Sequence, residues 1–165
     1  MSSDTNVDKE AVRDTIYRSC LFLDDENWEG FLSLCDPSLN YTITAFSPEI
    51  NKDMTFFSQK FSGLKILLDQ LPKHNTDHSP LKRHVSVYTI DIDTNKAGAS
   101  CISSFIVYRN MLDGINSHLD SGENHLFVIG KYLDKFKFED GKAKLVERQA
   151  RLDTRRLDKG SHFII

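Results

Sequence analysis

Residues 125–154 read HLFVIGKYLDKFKFEDGKAKLVERQARLDT. Apolar and aromatic residues recur at a period of two over 125–138, the pattern of a strand. Glu139-Asp140-Gly141 then turns the chain, because Gly tolerates positive φ and Asp-Gly is a strong hairpin signal. A last strand follows over about 142–154. Working back, 97–109 reads as another long strand. Asp93-Thr94-Asn95 is a turn of the kind that joins it to an antiparallel neighbour at 83–92. Between Asn110 and Asn124 runs a polar loop long enough to suspect function or mobility.

Upstream the period changes. Val12, Ile16, Cys20 and Leu23 fall on one helix face, with Thr5 and Asp8 at capping-box spacing ahead of them. Asn27 can cap a second, short helix on which Trp28, Phe31, Leu32 and Cys35 follow the i, i+3, i+4, i+7 rule. Asp36-Pro37 stops it. Residues 41–46 are rich in strand formers. Leu64, Leu67, Leu68 and Leu71 make a third helical stripe, ended by Pro72. Helices first and long antiparallel strands afterwards define an α+β domain, expected to be single over 1–165. Strands this long should twist and curl around the helices, leaving a cone-shaped cavity.

Composition narrows the function. Lys and Arg total 21 against 24 Asp and Glu, a formal charge of -3. That leaves no basic field for a phosphate backbone, so nucleic acid is not an expected partner. The polar start MSSDTNVDKE is not a signal peptide, and the apolar runs are too short to span a bilayer. A cytoplasmic location, off the membrane, is the expectation. Cys20, Cys35 and Cys101 are odd in number and widely spaced, which suits buried free thiols rather than a disulfide framework or zinc knuckle. His74 and His78 flank Asp77 at i, i+4 spacing, but Pro72 and Pro80 bracket them and argue against the helix a metal site would need. No metal site is expected in this chain.

The order of helix, helix, short strand, helix and long strands resembles the cystatin-like fold shared by nuclear transport factor 2, ketosteroid isomerase, scytalone dehydratase and polyketide cyclases. Within that group, the run from His125 to Asp134 is followed by Asp140-Gly141, then Leu145-Val146-Glu147-Arg148 and Leu152-Asp153. This resembles the β (small) subunits of Rieske-type ring-hydroxylating oxygenases. Asp24-Asp25 with Trp28, Leu34 and Tyr41, and Arg83-His84 opening a strand, are similar to that family too. Ala143 and Lys144 stand where its members carry an aromatic residue. The segments Leu71-Pro72-Lys73-His74-Asn75 and Leu81-Lys82-Arg83-His84 resemble the small subunits of its sulfonate-oxidising branch, the methanesulfonate monooxygenases.

The resemblance implies a division of labour. A catalytic α subunit would carry the Rieske [2Fe-2S] cluster and a mononuclear iron, and this chain would carry no cofactor. The complex would be α3β3, with the β chains as a trimeric base, hydroxylating an aromatic or small sulfonated compound. The chain itself has no Cys-x-His pair of the Rieske type and no convincing iron triad.

Other residues remain to be placed. In the dehydratases of this fold an Asp at the end of the first helix and a His early in a long strand face the cavity. Asp24 and His84, with Tyr41, take similar places here, so the alternative is a stand-alone lyase or isomerase. A plainer reading makes Asp24 and His84 a buried pair tying helix to sheet. Arg148, Arg151, Arg155 and Arg156 crowd the last strand, either as a solvated face or as a subunit interface. Phe163, Ile164 and Ile165 close the sequence and are expected to dock on a neighbouring subunit.

Overall fold

Val12, Ile16, Cys20 and Leu23 are all buried on one face of helix α1 (Ser2–Asp24), as their spacing requires. The computed structural model describes residues 2–74, 79–112, 121–155 and 164–165, with the side chains of 2, 3 and 74 left aside. α1 runs back past the expected cap at Thr5, since no Pro or Gly interrupts residues 2–8. Helix α2 (Trp28–Ser33) is capped as expected: Asn27 Oδ1 accepts from the Gly30 amide at 2.9 Å. It is shorter than its apolar pattern, because Cys35 already belongs to strand β1 (Cys35–Ser47). Pairing of β1 with the last strand shifts between Cys35 and Asn40, around Pro37, which has no amide to give a ladder.

Strand β2 (Lys52–Lys60) was not legible. It is an edge strand, mostly exposed, so no alternation of burial is imposed on its residues. Helix α3 (Phe61–His74) carries Pro72 inside its last turn and buries Leu64, Leu68 and Leu71. Then come β3 (Leu81–Ile92), β4 (Gly98–Asn110), β5 (Asn124–Glu139) and β6 (Lys142–Leu152). Lys96, at φ 54°, completes the expected turn by donating to the Asp93 carbonyl at 2.8 Å.

The six strands lie in the order β2-β1-β6-β5-β4-β3. β1 and β6 run parallel and every other neighbouring pair is antiparallel, so the sheet is mixed, curved and open. α1 packs on β3 and β6, and α3 on β1 and β2. Among the described residues no helix is long and apolar enough to cross a membrane.

Candidate functional site

β6 begins with Ala143 and Leu145 buried. Its pairing with β5 then slips by one residue: Phe136 faces Leu145 but Lys135 faces Glu147, leaving Val146 unpaired. Such a bulge exchanges the two faces of a strand. Beyond it Arg148, Ala150 and Leu152 are the buried positions. Arg148 therefore enters the interior instead of the solvated or interfacial face read from the charge pattern. Its Nε and Nη2 donate to the two carboxylate oxygens of Asp134 at 2.9 and 2.8 Å, and Nη1 donates to Ser19 Oγ at 3.2 Å. The guanidinium lies 4.1 Å from the Tyr132 ring centroid. Both side chains of the ion pair are 0% exposed. Burial alone would lower the pKa of Arg148, but Asp134 outweighs it and holds the guanidinium above its ordinary value.

A second, partly buried pair closes the end of α1. Asp24 accepts from the Arg83 amide at 3.1 Å and from Arg83 Nη1 at 2.7 Å. The expected partner, His84, is not the one used. Alternation along β3 turns Arg83, Val85 and Val87 inward and leaves His84 exposed, edge-on to Tyr108. A helix-to-sheet tie is present, but it is Asp24 with Arg83. The Asp24–His84 arrangement that a proton-abstracting enzyme would need is not formed.

Tyr41, fully buried on β1, donates from its hydroxyl to the Ile165 carbonyl. Arg83 Nη2 donates to the Ile164 carbonyl at 2.6 Å. Ile164 and Ile165 are 4% and 1% exposed, so they enter the interior of their own chain instead of docking on a neighbour. The reason is chemical: two β-branched residues gain the burial, and their carbonyls satisfy donors already inside. Tyr132 packs at 4.3 Å between ring centroids against Phe105. Gly130 allows this closeness, for an added Cβ would lie 2.8 Å from Phe105 Cζ and 2.3 Å from the Arg151 carbonyl oxygen. Burial raises the phenol pKa of Tyr41 and Tyr132.

The interior cluster is thus rich in donors, and both of its carboxylates are spoken for by arginines. Among the described residues, neither carboxylate of the cluster is left free to act as a base. Sequence reasoning missed Ser19 and quoted Arg83, Tyr132 and Asp134 as part of the family resemblance without giving them a place in a site. One signal was available. A two-residue turn at Asp140-Gly141, continued without a bulge, sets Asp134 opposite Glu147, and two facing carboxylates are a conflict.

The remaining residues are more peripheral. Arg151 Nη2 meets Asp53 Oδ1 at 3.2 Å, and Arg155 binds the Glu49 carboxylate, which its hydrogen bond holds down to about 2. Both arginines thereby tie the end of β6 and the residues just after it to the β1–β2 hairpin, and both stay partly exposed. Arg156, Phe163 and His78 lie outside the described residues, as does most of the Asn110–Asn124 loop. Cys20, Cys35 and Cys101 are free and buried as expected. Burial raises all three thiols, Cys35 to about 12. Among the described residues no group of three His, Cys, Asp or Glu is placed to hold a metal. A separate groove of about 410 Å³ lies between α1, α2 and the start of β6, lined by Asp14, Arg18, Phe22, Leu34, Lys142 and Lys144 among others.

The model of the SnoaL-like domain matches residues 5–149. The methanesulfonate monooxygenase hydroxylase subunit beta of Methylosulfonomonas methylovora is 50% identical over 156 residues, 94% of this chain and 86% of that protein. The 2-aminobenzenesulfonate 2,3-dioxygenase subunit beta of an Alcaligenes species is 27% identical over 161 residues, 96% of this chain and all of that one. A Novosphingobium aromaticivorans structure ascribed to the β subunit of an aromatic-ring-hydroxylating dioxygenase superposes with a TM-score of 0.78 at 20% identity, covering 98% of this chain and 99% of that chain. That last likeness speaks to the fold alone.

Proposed function

The chain belongs to the SnoaL-like domain family and, within it, to the β subunits of ring-hydroxylating oxygenases, and from that premise we propose that it supports a catalytic α subunit in the oxidation of a small sulfonate. The observation that carries the sulfonate reading is the 50% identity, sustained over 94% of the chain, to a subunit named for methanesulfonate. The other curated relative is also named for a sulfonate.

The interior geometry supports a supporting rather than a chemical role. Asp24 and Asp134 are each neutralised by a buried arginine, and His84 faces out of the site. The three cysteines are separated, buried thiols, so no donor set for a cluster or an iron is assembled among the described residues. In this proposal the Rieske [2Fe-2S] cluster and the mononuclear iron belong to the α subunit, the assembly is α3β3 on a trimeric β base, and its location is cytoplasmic. Arg151 and Arg155, with Arg156 and Phe163 beyond them, remain candidates for the subunit contacts, Arg being favoured at interfaces.

The test is to tag this chain and co-express it with an α chain bearing Rieske and iron motifs. The expected result is a stable complex with Rieske absorbance and oxygen uptake that depends on methanesulfonate. Failure of the two chains to co-purify overturns the partnership. A complex that consumes oxygen with 2-aminobenzenesulfonate and not with methanesulfonate overturns the substrate assignment alone.

A further inference from the structure

The interior cluster holds more donors than its own side chains satisfy. Arg83 Nη2 and the Tyr41 hydroxyl are both spent on backbone carbonyls of residues 164–165. Among the described residues Arg83 Nε and the Tyr132 hydroxyl, both buried, have no hydrogen-bond partner. The acceptors are used up, Asp24 by Arg83 and Asp134 by Arg148. A place with surplus donors, an apolar neighbour in Phe105, which packs on Tyr132, and a branched aliphatic segment accepting its hydrogen bonds is chemically defined. Its complement is an apolar body ending in acceptor oxygens.

We propose that Ile164–Ile165 is a tethered occupant of an interior binding site formed by Tyr41, Arg83 and Tyr132, and that a small branched aliphatic carboxylate competes for the same place. The two recorded polar bonds that hold Ile164 and Ile165 there are both accepted by the segment's carbonyls. A carboxylate supplies the same acceptors, and the two buried donors without a partner are further groups for it to satisfy. A carboxylate brings a charge that the two neutralised ion pairs do not repel. This inference stands on the interior geometry and is independent of which α subunit the chain joins.

A tethered segment competes at an effective concentration on the order of millimolar, so with an intrinsic affinity of about 0.1 mM or tighter its removal lowers the apparent Kd of a competitor by about tenfold or more. The probe is isovalerate, with isoamylamine, the same body bearing a cation, as its control. Calorimetric titration of the full chain and of a variant lacking residues 164–165 is expected to give at least tenfold tighter isovalerate binding to the variant, no binding of the amine, and loss of about tenfold affinity on adding Tyr41→Phe. Equal affinity for both chains, or equal binding of acid and amine, overturns the proposal. Should the shortened chain not fold, hydrogen exchange on the full chain decides. Saturating isovalerate must speed exchange at the amides of 164–165, and unchanged exchange there overturns the proposal as well.

Discussion

Arg148 carries a charge that no tolerable pH removes, so its place inside the protein rests on Asp134, Ser19 and the Tyr132 ring. Breaking one side of such a pair leaves an uncompensated buried charge, which costs about 3–5 kcal/mol, whereas replacing both partners by apolar groups is often neutral. Arg148→Met should therefore destabilise the chain by about 3–5 kcal/mol in urea unfolding, and Arg148→Met with Asp134→Leu should recover most of that loss. Recovery of none of it would make the cost one of shape rather than charge. His84→Ala is the contrasting case. With an exposed imidazole whose recorded contact is the Tyr108 ring edge, it should change stability by no more than about 0.5 kcal/mol in the same assay. Residue types were legible at this scale: the run ending at Asp134 and the strand segment holding Arg148 carried the family resemblance. Their faces were not, because a single bulge at Val146 reverses the parity on which every inward and outward assignment beyond it depends.

Elements with strong periodicity were readable and those shaped by their neighbours were not. α1 and the β5–β6 hairpin followed from spacing and from Asp140-Gly141, whose φ values of 50° and 71° are those a tight hairpin turn demands. β2 and the first half of β1 were invisible, since an exposed edge strand and a strand broken by Pro37 carry no alternation. One element-level contact makes a pH prediction. Asp36, at the start of β1, is bound by Lys137 of β5 and by the Ser38 amide and hydroxyl. Burial pushes its carboxyl up, but these donors outweigh burial and hold it down to about 2, against an ordinary 3.8. A depressed carboxylate contributes its stability above the unfolded value and loses it as pH falls through the folded one. Asp36→Asn should thus lower stability near neutrality by about 1 kcal/mol, the usual worth of a partly exposed charged contact. The gap between the two proteins should close as pH falls from about 4 towards 2. Urea unfolding at pH 7, 4 and 2.5 measures it, and a constant gap across that range would assign the effect to packing rather than to charge.

For the molecule as a whole, helices on one side of a curved mixed sheet were legible because the switch of period from 3.6 to 2 is a global feature of the chain. The fate of its end was not. Three consecutive apolar residues at 163–165 say that something must cover them, and sequence does not say whose interior does so. The last two fill their own chain's interior, which moves the consequence of removing them from assembly to folding. Fully burying one Ile is worth about 1.5–3 kcal/mol. Leaving a buried donor without its acceptor costs about 1–3 kcal/mol, and both Tyr41 and Arg83 would lose one. Some of this is recovered by water entering the vacated place, so deletion of residues 164–165 should cost about 3–5 kcal/mol. In a chain of this size each kcal/mol moves Tm by about 2–4 °C, which gives a fall on the order of 10 °C. Thermal unfolding of the full and shortened chains, with sedimentation of both at a temperature where each is folded, is the measurement. The expected result is a large fall in Tm with the same self-association in both. An unchanged Tm accompanied by lost self-association would return Ile164 and Ile165 to a subunit interface and remove the basis for an occupied interior site.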